Sequence, residues 1–224
     1  FKVRGGIVHL ARLKNGAVPC PGVISATRGN HGQSLAFAGR ITGLPVTIVV
    51  PHGNSAEKNA AMRAFGAELV EFGEDFEAAR QEAGRLAQMR GLTIVPSFHR
   101  DLVLGVATYS LEMFRAHPDL DVFYVPIGMG SGICGAITVR DLLGLKTEIV
   151  GVQSTQAPCY ALSLKAGRAI STPTAYTLAD GMATRVPDET ALEIIKSGVS
   201  RIVTVTDDEI AGAIGAYWSD THNL

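Results

Sequence analysis

The sequence is poor in the features that would settle its class at a glance. Its three cysteines, Cys20, Cys134 and Cys159, are widely spaced and form no CxxC pair, which argues against a disulfide framework or a zinc ribbon. The formal net charge is −1, from 20 basic and 21 acidic residues, so there is no overall field to attract nucleic acid or an anionic membrane. No apolar run approaches the ~20 residues that a bilayer-spanning helix needs, and the opening residues Phe1 to Gly6 lack the apolar core of a signal peptide. Internal repeats, low-complexity tracts and long linkers are missing too. These absences leave a protein of the reducing cytoplasm whose partners are small molecules rather than nucleic acid or membrane. The chain also lacks an initiator Met and stops immediately after a helical pattern, so it reads as part of a longer protein.

What is present is the material of an α/β fold. The chain has 224 residues, of which 46% are hydrophobic and 18% charged, enough to bury a sizeable core. Runs rich in Val, Ile and Thr recur at residues 22–27, 46–50, 68–71, 92–95, 122–126, 148–152 and 201–205. Between most of them, residues 31–42, 56–65, 76–90, 102–116 and 133–143 place apolar side chains at three- and four-residue spacing, as amphipathic helices do. This alternation predicts parallel-type open sheets covered by helices. Thr206 to Glu209, just before Ile210, has the form of a capping box and predicts a final helix. The longest irregular stretch, residues 167–187, contains Gly181, which is free to take a backbone conformation denied to other residues.

Two turns stand out chemically. Thr27-Arg28-Gly29-Asn30-His31-Gly32-Gln33 lies where a predicted strand ends and a helix begins. There the unpaired N–H groups of the helix suit a carboxylate or phosphate. Gly128-Met129-Gly130-Ser131-Gly132 occupies the same position after the strand at 122–126, and its glycines let backbone amides close around a phosphate. Gly130 to Gly135 also satisfies GxGxxG, so dinucleotide binding is a competing interpretation. That alternative needs an acidic residue at the end of the next strand, where this sequence has Gln153. His9, His52, His99, His117 and His222 show no mutual spacing typical of metal ligands and are expected to do no catalytic work.

Taken together, three segments resemble the fold type II pyridoxal-phosphate enzymes, and within them the threonine/serine dehydratase family. Phe1-Lys2-Val3-Arg4-Gly5-Gly6 is similar to the family's Ser-Phe-Lys-x-Arg-Gly motif, the Gly29 to Gln33 run to its Gly-Asn-His-Gly-Gln motif, and Gly128 to Ser131 lies where the dehydratases carry a tetraglycine phosphate loop. Ala179-Asp180-Gly181 resembles a segment that borders the cofactor. The resemblance covers essentially the whole chain. It implies a two-lobed enzyme in which residues 21–95 form a small lobe inserted into a larger one built from residues 1–20 and 96–224, with the active site between them.

The resemblance also implies roles. Lys2 would be the Schiff-base lysine and general base, with Phe1 and Asn30 beside the cofactor ring. Gly128, Met129, Gly130, Ser131 and Gly132 would hold the phosphate of pyridoxal 5′-phosphate, and Gly181 would border it. Thr27, Arg28, Gly29 and His31 would lie at the substrate. Arg28 stands where serine racemase has a proton-handling serine, which disfavours racemisation; it either binds a second substrate carboxylate or, the reading favoured slightly, turns outwards to solvent. Gln153 replaces a glutamate metal ligand of cation-dependent relatives, so no metal is expected.

The implied activity is β-elimination of water and ammonia from a hydroxy amino acid, threonine or serine first, to give a 2-oxo acid. Hydroxyaspartate or phenylserine dehydratases, a threonine synthase-like β-replacing enzyme, and a silent amino-acid-binding relative stay open as alternatives. A homo-oligomer, dimer or tetramer, is the family's usual state.

Overall fold

The computed structural model describes residues 1–222. The chain divides into two compact units, Phe1–Tyr109 and Ser110–Leu224.

The first unit is built on a four-stranded, wholly parallel sheet. Its elements run α1 (Lys2–Lys14), β1 (Val23–Ala26), α2 (Asn30–Thr42), β2 (Val46–Val50), α3 (Ala56–Ala64), β3 (Glu68–Glu71), α4 (Phe76–Arg90), β4 (Thr93–Ile94) and the start of α5 (Arg100–Ala116). The strand order is β3-β2-β1-β4. The central strands β1 and β2 are buried at every residue, which is why they read as continuous apolar runs rather than alternating ones. Successive side chains still divide between the faces. Val23, Val46, Ile48 and Val50 pack with Leu10, Leu35 and Met62 on one side, and Ile24 and Val49 pack with Ala79, Ala83 and Leu86 on the other.

Helix boundaries follow local chemistry. Ser55 and Asp75 accept from the Lys58 and Ala78 N–H groups to start α3 and α4, and left-handed glycines, Gly43 and Gly91, end α2 and α4.

The second unit carries a three-stranded parallel sheet of order β5-β6-β7. It comprises β5 (Val122–Pro126), α6 (Ser131–Leu142), β6 (Glu148–Ser154), α7 (Cys159–Ala166), α8 (Glu189–Gly198), β7 (Arg201–Val205) and α9 (Asp207–Thr221). The capping box at Thr206 and Glu209 is formed, with the Thr206 side chain accepting from the Glu209 N–H and the Glu209 carboxylate accepting from the Thr206 N–H. Three helices go beyond what periodicity foretold: α1, α7 and α8. The helix α1 contains Gly5 and Gly6, poor helix formers, and tertiary packing overrides that propensity. No helix of the described residues is long and apolar enough to cross a membrane.

Candidate active site

In the first unit, Lys2 is the first residue of α1 and is half-buried, while Phe1 before it is exposed. Its seat is made by close helix packing. A Cβ on Gly6 would lie 2.4 Å from Ser34 Oγ and 2.8 Å from the Ser34 carbonyl oxygen. A Cβ on Gly105 would lie 2.2 Å from the Arg4 carbonyl oxygen. The Gly5-Gly6 pair and Gly105 therefore let α2 and α5 approach the first turns of α1 more closely than any side chain would allow. Into that gap the Ser34 hydroxyl donates a 2.7 Å hydrogen bond to the Lys2 carbonyl. The Lys2 ammonium lies 5.6 Å from the Phe1 ring centroid, and Phe1 packs edge-on against Tyr109 at 5.8 Å. Burial disfavours the charged form and pulls the Lys2 amine below its ordinary lysine value.

The turn from β1 into α2 belongs to the same unit. Thr27 is buried, and its hydroxyl accepts from the Gly29 N–H at 3.2 Å. No side chain caps α2, so its first N–H groups face outward from the carboxyl edge of the sheet, as an anion site requires. Arg28 and Asn30 are exposed, whereas Gly29 and His31 are buried. His31 Nε2 has no hydrogen-bond partner among the described residues. Desolvation first, then the charges of Lys2 and His9, push the imidazole down to about 3, against the opposing effect of a hydrogen bond at Val95. It is therefore a neutral ring beside the lysine.

Sequence reading missed Lys58, whose stem crosses this turn: a Cβ on Gly29 would meet Lys58 Cδ at 3.1 Å and Nζ at 3.4 Å. The available signal was topological. β2 pairs in parallel with β1, so α3 leaves the sheet at the same edge as α2.

In the second unit, the glycine-rich turn after β5 leads into α6, again without a side-chain cap. Gly130 has φ +100°, a conformation that L side chains rarely adopt, and a Cβ there would lie 2.9 Å from the Ala191 Cβ. Gly128 meets Gly181: a Cβ on Gly128 would sit 2.2 Å from the Gly181 carbonyl oxygen. The freedom expected of Gly181 is not what its position uses. Gly181 is not among the left-handed glycines and lies in a 3-10 turn, Asp180–Met182. Its contribution is this close approach. The segment before it is tied by Asp207, which accepts from the Thr177 hydroxyl at 2.6 Å and the Leu178 N–H at 3.0 Å.

A second residue without a sequence signal is Tyr160. Fully buried in α7, it donates to the Met129 carbonyl at 3.0 Å and accepts from the Asp188 N–H at 3.0 Å. Ser131 is buried at the first position of α6. Gln153, the residue on which the dinucleotide interpretation turns, is fully buried, and its amide oxygen accepts from the Ala161 N–H in the first turn of α7 at 2.8 Å. It is committed to helix capping.

These features fit pyridoxal phosphate on this chain's own geometry. Taken separately, the first unit offers an imine-forming amine in a half-buried lysine of lowered basicity, and the second offers a phosphate cradle in an uncapped helix start behind a left-handed glycine.

Comparison with known proteins agrees. The sequence is 36% identical to L-threonine ammonia-lyase of Geobacter sulfurreducens over 225 residues, covering all of this chain and 56% of that protein. It is 34% identical to the Thermotoga maritima L-threonine ammonia-lyase, covering 96% of this chain and 53% of that one. The chain thus spans about half the length of these relatives. The fold superposes on threonine deaminase isoform 2 of Solanum lycopersicum with a TM-score of 0.93 at 29% identity, covering all of this chain and 61% of that chain. For maize serine racemase the TM-score is 0.91 at 25% identity, covering 97% of this chain and 66% of that chain. Over its whole length, residues 1–224, the sequence matches the family described as pyridoxal-phosphate dependent enzyme, and the chain belongs to that family.

Proposed function

We propose that the protein of which this chain is part removes water and ammonia from a β-hydroxy amino acid, L-threonine or L-serine, to give a 2-oxo acid. The observation that carries this is the state of Lys2, a half-buried amine of lowered basicity held through its own carbonyl by Ser34. The names of the relatives, both L-threonine ammonia-lyases, support the choice of substrate.

Pyridoxal phosphate, when bound, supplies an electron sink that makes loss of the substrate Cα proton accessible. Lys2 would hold the cofactor and, once freed by the incoming amino group, take that proton. Its depressed basicity raises the fraction of free amine near neutral pH. The N–H groups at the start of α2, with Thr27, Arg28, Gly29 and His31, would hold the substrate end, and the neutral His31 adds no charge there. Asn30 and Phe1 would flank the ring. Gly128, Met129, Gly130, Ser131 and Gly132 would hold the phosphate through backbone N–H groups at the α6 terminus, with Gly181 bordering it.

The same reading makes residues 21–95 an inserted small lobe within a larger one of residues 1–20 and 96–224. It gives a cytoplasmic homo-oligomer, dimer or tetramer; the three free cysteines suit a reducing compartment.

The test uses the intact gene product with pyridoxal phosphate and a panel of L-threonine, L-serine, phenylserine and hydroxyaspartate. Oxo acid and ammonia are scored, with Lys2→Ala as control. Oxo acid from threonine or serine that disappears in Lys2→Ala supports the proposal; none from either, with cofactor bound, overturns it.

A further inference from the structure

Within the first unit the fold gathers three side chains that sequence spacing left apart. His9 lies on α1, His99 immediately precedes α5, and Asp101 is in the first turn of α5. His9 Nδ1 is 3.3 Å from Asp101 Oδ2, and His99 Nδ1 is 3.7 Å from the same oxygen. One donor atom from each residue lies within 4.8 Å of the other two. The two imidazoles lean over each other with centroids 4.4 Å apart. The sequence spacing of the histidines gives no sign of this grouping, which the fold creates.

A simple His–Asp clasp between helices needs one imidazole. Here two imidazoles converge on one carboxylate oxygen, with separations close to the edge of a metal tetrahedron: bonds of 2.0–2.1 Å imply ligand atoms about 3.3 Å apart. The donors are also the right kind, since two imidazole nitrogens and a carboxylate suit zinc-class divalent cations and leave a fourth position for water. The outer shell is present as well. Arg12 bonds the other carboxylate oxygen, Oδ1, which fixes the direction of the ligating one. The Asp101 N–H donates to His99 Nδ1 at 3.2 Å, so that nitrogen is the unprotonated one, and an ion ligated there takes the place of this hydrogen bond. His9 is buried, but the His99 side chain is 42% exposed, which gives an ion a way in.

We propose that His9, His99 and Asp101 form a binding site for a zinc-class divalent cation, one donor from each, with water completing four-coordination. Such an ion ties α1, the helix that begins at Lys2, to the first turn of α5. It braces the lysine's seat without touching the reacting atoms, and the proposal does not depend on which amino acid is consumed.

The experiment uses the untagged, full-length gene product loaded with pyridoxal phosphate and stripped of metals by a chelator. It is titrated with Zn²⁺ by calorimetry and with Co²⁺ by visible absorption, alongside His99→Ala and Asp101→Asn. The expected result is one equivalent of Zn²⁺ bound by the wild type, the d–d bands of four-coordinate Co²⁺, and a higher Tm with Zn²⁺. Affinity should fall at least about tenfold in each variant. Absence of stoichiometric binding in the wild type, or affinity unchanged in the variants, overturns the proposal. His99 is half-exposed, so His99→Ala keeps the fold and decides the matter even if Asp101→Asn does not.

Discussion

The Ser34 hydroxyl donates to the Lys2 carbonyl at 2.7 Å, so the helix that opens the proposed anion site also holds the residue that carries the lysine. Ser34 is buried, and a typical buried hydrogen bond contributes about 1 kcal/mol net. Ser34→Ala should lower stability by about that amount, read as a shift in urea midpoint at constant slope. It should also slow cofactor loading at Lys2 relative to wild type, followed by the visible absorbance of the bound cofactor. A variant that loads at the wild-type rate would reduce Ser34 to a packing role.

Gly105 makes a harsher test of the same seat. The Cβ of Gly105→Ala would fall 2.2 Å from the Arg4 carbonyl oxygen, a backbone atom that cannot rotate away. Overpacking of this kind costs about 1–3 kcal/mol. Because α1 must move to relieve it, cofactor affinity should drop together with thermal stability. Gly84→Ala is the contrast, since a Cβ there meets nothing within 4 Å; it should be neutral or slightly stabilising through helix propensity.

In the second unit, Tyr160→Phe should loosen the glycine-rich turn. The phenol joins the Met129 carbonyl to the Asp188 N–H, and its removal leaves both without that partner in a part-buried environment, at about 1 kcal/mol. The measurable consequences are a lower urea midpoint and a weaker Kd for pyridoxal phosphate, with Tyr124→Phe, an exposed tyrosine, as a control that changes neither.

Much of this was legible in the sequence, and what was not has identifiable causes. β2, β3, β5 and β7 fall where their runs predict: β2 is buried at every residue, as a strand covered on both faces must be, and the half-exposed β3, β5 and β7 keep β-branched and apolar residues at their centres. β6 runs on to Ser154 since Gln153 and Ser154 pair with Thr204 and Val205, a partner that no local pattern announces. β4 shrinks to Thr93–Ile94, the two residues that pair with β1. The helix α1 escaped because its glycines serve neighbouring helices rather than its own propensity. α7 escaped because its N-cap is Pro158, without a side-chain cap bond, and the side chain that accepts from its Ala161 N–H, Gln153, belongs to the preceding strand. Of the proposed site, Lys2 and the two turns are contiguous motifs, which is the kind of feature a sequence can display. Ser34 and Tyr160 act across 32 and 31 residues, and Lys58 across a strand crossing, where only the fold supplies the contact.

Lys58 offers a test that separates binding from chemistry. Its stem covers Gly29, with Nζ 3.4 Å from the position a Cβ would take there, beside the turn proposed to hold the substrate carboxylate. Lys58→Met keeps the covering stem and removes the charge. The expected result is a KM for the amino acid raised about three- to tenfold with kcat little changed, since uniform binding is lost rather than transition-state stabilisation. A fall in kcat at unchanged KM would place Lys58 in the chemistry instead.

His31 governs a pH dependence whose sign can be worked out. Its imidazole is held at about 3 in the folded chain by desolvation, then by the charges of Lys2 and His9, against about 6.5 when unfolded. Between those values the unfolded chain binds the extra proton, so stability from this group is fully present above about pH 6.5 and is lost progressively as pH falls towards 3. The contribution is on the order of a few kcal/mol. In His31→Gln, which cannot titrate, the acid limb of the stability curve should flatten over that interval, leaving the part due to paired carboxylates such as Asp101 and Glu68, whose values are also lowered. Urea midpoints measured at pH 4.5 and pH 7 for the two proteins give the comparison. Equal losses on acidification would mean that His31 meets water in the folded state and that its burial does not control the acid limit.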